Sequence, residues 1–288
     1  MKIDSKTQLA CLIGHPVAHS FSPYIHNFLA DEYGVNLRYL SFDVAPDRVK
    51  EALDGIKALG IIGSNVTIPH KIEVMEYLDE IDKNAAIIGA VNTIKNDDGK
   101  LIGYNTDALG FVNSVLNEGH SLDGKHVMVL GAGGASRAIV VELAAHGVSK
   151  ITICNNTIQK AEVIAEKVRS HFEKVEVIVK ALDVKEEDLA GVDFLINTTP
   201  LGMSSQKNLS PIDEKITPPQ GLVVCDIVYT PNDTKLLKWA QSHELKIVRG
   251  IGMLINQAIS SFEIWTGLKI DAYEKVYDLL KQEGIIIE

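Results

Sequence analysis

Short apolar runs rich in β-branched residues alternate along the chain with longer stretches whose apolar positions recur at helical spacing. In the first third, this pattern predicts strands at 9–13, 39–44, 61–66, 89–95 and 100–104, and helices at 23–33, 47–59 and 107–117. The sequence Asn-Asp-Asp-Gly at 96–99 is typical of a tight turn and predicts a hairpin between two of these strands. Strands that alternate with helices in this way indicate parallel sheets covered by helices.

The same alternation resumes after a polar connection at 120–125. It predicts strands at 127–130, 150–154, 175–180, 192–197, 222–226 and 245–248, and helices ending near 146 and at 158–172, 185–189, 234–243, 253–265 and 272–282. The longest irregular segment, 200–221, is of a length that often lines a site, although it can also be a simple connection. A chain of 288 residues is long enough for two domains.

Composition is that of an ordinary globular protein. Apolar residues make up 46% and charged residues 23% of the chain, which argues against disordered and fibrous classes. The net charge of −10, without a basic cluster, does not fit a surface that tracks nucleic-acid phosphates. No apolar run reaches the roughly 18–20 residues that cross a bilayer. The expected partner is a small-molecule substrate, with no nucleic acid and no membrane, and the chain is expected to be a monomer or a homodimer.

Three cysteines, Cys11, Cys154 and Cys225, stand far apart inside apolar runs. An odd number of separated cysteines without a CxxC pair indicates reduced thiols that pack in a core. The N-terminus has only one five-residue apolar run, preceded by Asp4, and this does not fit a secretory signal. Neither HEXXH nor paired CxxC spacing occurs, so no metal site is predicted. These features predict a cytoplasmic protein.

The strongest local signal is a glycine-rich turn between the apolar run 127–130 and a predicted helix. In dinucleotide-binding domains, the first glycine of such a turn permits a tight bend and the second lets the backbone approach a pyrophosphate. The helix N-terminus then offers N–H groups to the anion. Because a strand precedes the turn and the next strand follows the helix, the segment predicts a dinucleotide site. The alternative is a turn that only packs a helix on a strand.

The end of the next predicted strand bears on which nicotinamide cofactor would bind. An NAD site usually places Asp or Glu there to accept from the ribose 2′-hydroxyl. This chain has Asn155, Asn156 and Thr157 instead, and no carboxylate before Glu162. An NADP site would use a cation for the 2′-phosphate, and the nearest are Lys160, Lys150 and Arg137. All three are otherwise ordinary solvated charges, so the residues argue only against a standard NAD site.

Several polar residues follow predicted strands of the first domain, where α/β sheets hold ligands. Ser22, before a proline, is a suitable helix N-cap, whereas Ser20 has no such structural duty, so the pair is suited to hold a substrate carboxylate. Lys71 ends a polar segment after the third strand, and Asp107 precedes a helix. Taken singly, such a lysine is more often a solvated charge, and such an aspartate a helix-start residue.

Seven segments of the chain, several of which contain these residues, together indicate a single function for them. In chain order they are HSFSP, NVTIPHK, GAVNT, NTDALG, GAGGASRA, DIVYTP and GIGMLINQA. The set extends from about Cys11 to Glu263 and resembles the motifs of the shikimate dehydrogenase family. Glycine-rich turns are common, but NVTIPHK followed by GAVNT and NTD is hardly seen elsewhere.

The resemblance implies an NADP-dependent oxidoreductase that reversibly reduces 3-dehydroshikimate to shikimate in the biosynthesis of chorismate and aromatic amino acids. It also implies an α/β fold with two domains. The N-terminal α/β substrate domain, 1–106, is completed by C-terminal helices at 256–288. A Rossmann-type NADP-binding domain, 107–255, is inserted between these two parts.

The resemblance also implies roles for individual residues. Lys71 is the expected acid/base, with Asp107 as its partner, because a lysine ammonium can protonate the alkoxide that forms during ketone reduction. The substrate carboxylate is expected to bind Ser20, Ser22 and Tyr229, and the ring hydroxyls to bind Asn65, Thr67, Asn92, Asp107 and Gln257. The cofactor is expected to bind Gly131, Ala132, Gly133, Gly134, Ala135, Asn155, Asn156, Thr157, Lys160, Ile227 and Gly250.

The chain departs from the family at one position that bears on the cofactor. The family usually has Asn-Arg-Thr at the end of the second strand of the inserted domain, where the arginine grips the 2′-phosphate, but here Asn156 takes the place of the arginine. NADP is therefore the expected cofactor, and use of NAD is the alternative. Two other hypotheses are a quinate/shikimate dehydrogenase with relaxed NAD and NADP use, and a non-catalytic dinucleotide-binding regulator on the same fold.

Overall fold

The computed structural model describes residues 3–286, and the chain within it forms two compact units. The first unit comprises the residues up to Thr106 together with Gln257–Glu283. The second comprises Asp107–Asn256 and the residues from Gly284 onward. The chain thus leaves the first unit, builds the second and returns to complete the first. The outer limits expected for the substrate domain, residues 1 and 288, lie outside the described residues.

The first unit is built around a sheet of six described strands. Its elements in chain order are β1 (Gln8–Gly14), α1 (Ser22–Glu32), β2 (Leu37–Asp43), α2 (Val49–Ala58), β3 (Gly63–Val66), β4 (Glu80–Ile81), α3 (Lys83–Ile88), β5 (Thr93–Asp97) and β6 (Lys100–Tyr104). The spatial order is β2-β1-β3-β5-β6-β4. Strand β1 is parallel to β2 and β3, whereas β5 is antiparallel to both β3 and β6. The predicted hairpin is therefore present, and it makes this sheet mixed rather than wholly parallel.

The second unit contains a parallel sheet in the order β12-β11-β10-β7-β8-β9. From the unit boundary onward the elements are α4 (Thr106–Asn117), β7 (His126–Leu130), α5 (Gly134–Ala145), β8 (Lys150–Cys154), α6 (Ile158–His171), β9 (Glu176–Lys180), β10 (Phe194–Asn197), β11 (Val223–Asp226), α7 (Lys235–Ser242), β12 (Lys246–Val248), α8 (Gly250–Thr266) and α9 (Tyr273–Gln282). The strand order reverses beside β7, as in Rossmann-type folds. In such sheets, ligands bind beyond the carboxyl ends of the strands at this reversal.

The central strands of the second unit are buried on both faces. Every residue of β10 and of β11 is buried, which explains why these strands are continuous apolar runs rather than alternating ones. Helix α6 buries one stripe, Ala161, Ile164, Ala165 and Val168, at helical spacing. Its other face is mostly polar and exposed, as expected for a helix that covers a sheet.

Two sequence predictions of secondary structure were wrong in part. The strand expected at 89–95 begins only at Thr93, because helix α3 extends to Ile88 and residues 89–92 form an irregular connection after it. The Asp82 side chain caps α3 by accepting from the N–H groups of Asn84 and Ala85, and Gly89 ends it with a φ of 71°. The helix expected at 185–189 is a short 3₁₀ turn, Glu186–Leu189, rather than an α-helix.

The three cysteines lie in the cores of the two units as free, buried thiols. Burial raises the pKa of Cys11 to about 11 and that of Cys154 to about 12, so both stay protonated near neutral pH. Within residues 3–286, no helix is both long and apolar enough to span a bilayer.

Candidate active site

The glycine-rich turn follows β7 and is closed by hydrogen bonds on both sides. Gly131 has a φ of 110°, and a Cβ atom there would lie 2.7 Å from the Oγ1 of Thr198, so only glycine fits. Its N–H donates to the carbonyl oxygen of Cys154 at 2.7 Å. The buried hydroxyl of Ser136 donates to the carbonyl oxygen of Gly131, also at 2.7 Å. Ser136 stands where the usual fingerprint has glycine or alanine, and its hydrogen bond stabilises the turn.

Helix α5 presents an open N-terminus after this turn. Gly133 is its N-cap, and both Gly133 and Gly134 are exposed. A Cβ atom at either position would have no heavy atom within 4 Å. Gly133 has no side chain to cap the backbone N–H groups of the first helical turn, and an uncapped, uncrowded helix start of this kind is the arrangement that binds phosphate groups. Ala132 and Ala135 are half-buried beside them. These residues fit a dinucleotide pyrophosphate.

The end of β8 presents neutral polar groups and one cation. Asn155 donates its side-chain amide to the carbonyl oxygen of Thr157 at 2.8 Å, which orders the start of α6. Asn156, Thr157 and Lys160 are exposed. The first carboxylate along α6, that of Glu162, is paired with the guanidinium of Arg169 at 2.5 Å. This segment can donate hydrogen bonds to a 2′-phosphate and places no carboxylate among residues 155–160 to repel it.

The two other backbone positions expected to contact the cofactor lie close together. A Cβ atom at Gly250 would lie 2.5 Å from the carbonyl oxygen of Ile227, so the start of α8 packs directly on the loop after β11. The N–H of Ile227 donates to the carbonyl oxygen of Asn197 at 3.1 Å. The same loop carries Tyr229, whose side chain is 40% exposed.

Sequence reasoning missed the buried carboxylate that holds this loop. Asp226 is 1% exposed and accepts from the Asn197 amide, the N–H of Val228 and the hydroxyl of Thr234, at 3.0, 3.0 and 2.7 Å. Burial raises the pKa of Asp226 to about 6, although these hydrogen bonds oppose the shift. An aspartate at the end of an apolar strand was the only available signal, and the three donors come from separate segments of the chain.

In the first unit, Ser20 and Ser22 lie at the start of α1, and the capping role expected of Ser22 is not observed. Phe21, not Ser22, is the N-cap position, and Ser22 is the first helical residue. The hydroxyl of Ser20 accepts from the N–H of Ser22 at 3.2 Å and donates to the hydroxyl oxygen of Ser22 at the same distance. The prediction that Ser22 caps the helix is therefore wrong, because the chain turns one residue earlier. The two hydroxyls nevertheless lie side by side, as a shared ligand requires.

Asn65 and Asn92 are held in a buried network of polar side chains. The Asn65 amide nitrogen lies 3.1 Å from the Oγ1 of Thr93 and 3.0 Å from the Oγ of Ser261. The Asn92 oxygen accepts from the N–H of Thr106 at 2.7 Å, and the Asn92 nitrogen donates to the Thr106 hydroxyl at 3.0 Å. The network therefore joins β3, β5, the start of α4 and α8. Thr93, Thr106 and Ser261 were not predicted from the sequence.

The segment after β3 places Thr67 and Lys71 near these asparagines. The N–H of Thr67 donates to the carbonyl oxygen of Ile13 at 2.9 Å, and a Cβ atom at Gly14 would clash with the Thr67 methyl group at 2.2 Å. The carbonyl oxygen of Lys71 accepts from the N–H of Val91 at 2.8 Å. The backbone of Lys71 is thus fixed beside the residue that precedes Asn92, and its side chain is half-buried.

The remaining predicted residues lie on α4 and α8. Asp107 is half-buried in the first turn of α4, directly after the buried Thr106. Gln257 is half-buried on α8, and its carbonyl oxygen accepts from the hydroxyl of Ser261 one turn later at 2.9 Å. The first unit therefore brings Ser20, Ser22, Asn65, Thr67, Lys71, Asn92 and Gln257 into one body. Asp107 and Tyr229 belong to the second unit.

Comparison with known proteins matches both units to one family. Residues 12–94 match the shikimate dehydrogenase substrate binding domain, residues 113–229 match shikimate / quinate 5-dehydrogenase, and residues 250–281 match the shikimate 5′-dehydrogenase C-terminal domain. The shikimate dehydrogenase (NADP(+)) of Methanocaldococcus jannaschii is 48% identical over 270 residues, which cover 93% of this chain and 94% of the relative.

Solved structures agree with this assignment. A shikimate dehydrogenase in complex with NADP⁺ has a TM-score of 0.90 at 44% identity, with 100% of this chain and 98% of that chain covered. The shikimate 5-dehydrogenase of Listeria monocytogenes in complex with shikimate and NAD has a TM-score of 0.92 at 32% identity, with 97% and 98% covered. The relatives span nearly the whole chain and share its fold and its order of domains, so this chain belongs to the shikimate dehydrogenase family.

Proposed function

We propose that this protein catalyses the reversible, NADPH-dependent reduction of 3-dehydroshikimate to shikimate, a step toward chorismate and the aromatic amino acids. The first unit binds the substrate and the second binds the cofactor. One observation carries the proposal above others. Asn65 and Asn92 are buried polar residues with fixed orientation, next to the anchored backbone of Lys71. A polyhydroxylated ring requires directional donors and acceptors of this kind.

The cofactor site uses the open N-terminus of α5 for the pyrophosphate and the end of β8 for the adenosine 2′-phosphate. When bound there, NADPH supplies the hydride. The neutral donors Asn156 and Thr157 and the cation of Lys160 favour the phosphorylated cofactor, while the absence of a carboxylate among residues 155–160 removes the usual selection for NAD. We expect NADP to be preferred, but by less than an arginine at position 156 would give.

The substrate site uses the chain's own charges and hydroxyls. Ser20, Ser22 and Tyr229 bind the carboxylate, and Asn65, Thr67, Asn92 and Gln257 bind the ring hydroxyls. Lys71 and Asp107 are the proposed acid/base residues. The Lys71 ammonium gives its proton to the alkoxide oxygen that forms as the ketone carbon accepts hydride, and it stabilises the negative charge until then.

A cytoplasmic location and a monomeric or homodimeric state complete the proposal. The free, buried thiols support the location, because such thiols are typical of reducing compartments. Cell fractionation and sedimentation of the purified protein test these two points.

The decisive experiment mixes the purified protein with shikimate and follows nicotinamide absorbance, first with NADP and then with NAD. Rapid reduction of NADP with shikimate supports the proposal. Quinate oxidation with NAD at a similar rate would instead support a quinate/shikimate dehydrogenase. This second candidate is considered because residues 113–229 match a shikimate / quinate family. Cofactor binding without turnover of either acid would support a regulator.

A further inference from the structure

The orientation of the Asn65 amide is determined by its buried neighbours in the chain. Its nitrogen lies 3.3 Å from the backbone carbonyl oxygen of Asn92, an atom that can only accept. The nitrogen, and not the oxygen, must therefore face β5, Thr93 and Ser261. The Asn65 oxygen consequently points the other way, where it accepts from the hydroxyl of Tyr39 at 2.8 Å.

Tyr39 itself is held by packing. Its side chain is fully buried, and its ring stacks on His26 with centroids 4.4 Å apart and lies 5.9 Å from the ring of Trp265. Both ring nitrogens of His26 are buried without a hydrogen-bond partner. Burial lowers the pKa of His26 to about 3, so the imidazole is neutral and acts as an apolar wall. The aromatic neighbours fix the ring of Tyr39 and leave its hydroxyl group to interact with polar partners.

The hydroxyl of Tyr39 keeps its proton. Burial raises the pKa of Tyr39 well above its usual value. The phenol therefore donates its single proton to the Asn65 oxygen.

We propose that Tyr39 is a positioning residue for the substrate site: the hydrogen bond that its hydroxyl donates holds the Asn65 oxygen in place, on the ring-hydroxyl side. The inference rests on the proposed function, since it names the residue that orients one of its binding groups. Asn65 then offers an acceptor to a ring hydroxyl, because its nitrogen is already occupied by β5 and α8. Tyr39 needs no contact with the substrate for this role.

The test replaces Tyr39 by phenylalanine, which keeps the ring stack and removes only the hydroxyl. The KM for shikimate should rise about tenfold, the effect of one lost hydrogen bond. The kcat should fall by less than about threefold and the KM for NADP should stay unchanged, because the acid/base and cofactor groups are not linked to this hydroxyl.

A matched control separates positioning from general loss of stability. Tyr33 lies in the same unit, and its hydroxyl donates to the carbonyl oxygen of Asp271 at 2.6 Å. Tyr33→Phe thus removes one tyrosine hydrogen bond away from the proposed site and should lower the Tm without changing the KM for shikimate. An equal rise of KM in both variants would overturn the inference.

A double-mutant cycle tests the link to Asn65. Asn65→Ala raises the KM alone, and adding Tyr39→Phe to it should raise the KM no further, since the group that Tyr39 positions is gone. If the increases in KM caused by the two substitutions multiplied in full in the double variant, the proposal would be contradicted. If Tyr39→Phe fails to fold, Asn65→Asp is the second variant. It places a carboxylate oxygen, which can only accept, against the carbonyl oxygen of Asn92. A wild-type KM for shikimate in that variant would show that the orientation of the amide is unimportant.

The proposed function and this inference fail in different ways. Wild-type protein without shikimate turnover overturns the function, and the role of Tyr39 with it. Active wild-type protein, together with Tyr39→Phe of unchanged KM, overturns only the role of Tyr39.

Discussion

Thr234 donates its hydroxyl proton to the carboxylate of Asp226 at 2.7 Å while accepting the N–H of Leu237 at 3.3 Å. One side chain thus caps the N-terminus of α7 and supplies a hydrogen bond to a buried acid. The pair fixes the position from which the loop after β11 departs. Because Ile227 and Tyr229 lie on that loop, the pair supports both the proposed cofactor contact and the proposed carboxylate contact from behind.

The buried acid should make stability depend on pH. Burial raises the pKa of Asp226 to about 6 in the folded protein from the usual 3.8, so the folded state holds this proton more tightly than the unfolded chain does. The free energy of unfolding should therefore fall as pH rises from about 4 to above 6, by roughly 3 kcal/mol over the whole window and about 1.4 kcal/mol between pH 5 and 8. Asp226→Asn should remove this contribution, as measured by urea unfolding at both pH values.

Asp188 provides a control of opposite sign. A hydrogen bond from Lys180 lowers the pKa of Asp188, so its contribution is present above the unfolded pKa and is lost as pH falls. Asp188→Asn should weaken the protein mainly near neutral pH. If Asp226→Asn changed the pH profile in the same direction as Asp188→Asn, the account of Asp226 would be wrong.

Lys71→Ala should lower kcat by roughly 10²–10⁴, the usual span for one acid/base group, with a smaller effect on shikimate binding. Steady-state kinetics in the direction of shikimate oxidation measures both parameters. Lys50→Ala is the matched control, because Lys50 lies on the exposed face of α2, paired only with a neighbouring carboxylate on the same helix, Asp54, at 2.7 Å. A Lys71→Ala enzyme with wild-type kcat would remove Lys71 from the mechanism.

Asn156→Arg should tighten NADPH and leave NADH nearly unchanged. A charged, bidentate hydrogen bond to the 2′-phosphate is worth roughly 1.5–3 kcal/mol, which is tenfold or more in affinity. Fluorescence titration with each cofactor gives the ratio of the two dissociation constants. Gln220→Arg adds the same charge at another exposed position of the second unit and should leave that ratio unchanged. If Asn156→Arg acted only by long-range electrostatic attraction, Gln220→Arg would change the ratio as well.

Replacing the two serines one at a time should affect stability to different extents. We expect Ser20→Ala to reduce stability more than Ser22→Ala, which is the opposite of the order expected if Ser22 were the N-cap. Ser20→Ala removes the acceptor of the Ser22 N–H and should cost about 1 kcal/mol of stability, the usual value of a lost helix-start contact. Ser22→Ala should cost less. Both variants should weaken shikimate binding and leave NADP binding unaltered. Equal affinity of both variants and wild type for shikimate would exclude the pair from the carboxylate site.

The sequence predicted the sheet-forming runs well, because burial on both faces leaves continuous apolar segments. Strands β6 and β8 begin and end at the predicted residues. The helix α3 was not predicted, since it is only six residues long and depends on the cap from Asp82 and on the turn at Gly89. Strand β4, with two residues, carries no periodicity that a sequence pattern could reveal.

The candidate site was predicted as a set of residues, through motifs, but not as a geometry. Nothing in the local sequence around Asn65 indicates that Ser261, 196 residues later, lies 3.0 Å from its amide. Tyr39 likewise occupies an apolar strand and looks like an ordinary core residue, because its hydroxyl partner is supplied by another strand. Long-range hydrogen bonds between buried side chains are set by tertiary packing and leave no periodic signal.

The return of α8 to the first unit has a consequence for the order in which the protein matures on the ribosome. A Cβ atom at Gly63 would strike the ring of Trp265 at 2.2 Å, and the Trp265 indole N–H donates to the carbonyl oxygen of Ile94 at 2.9 Å. Strands β3 and β5 therefore remain incompletely covered until Trp265 has been synthesised, whereas Asp107–Asn256 is synthesised before it and without interruption. We expect the second unit to gain resistance to protease first, and the first unit to be the one that chaperones protect.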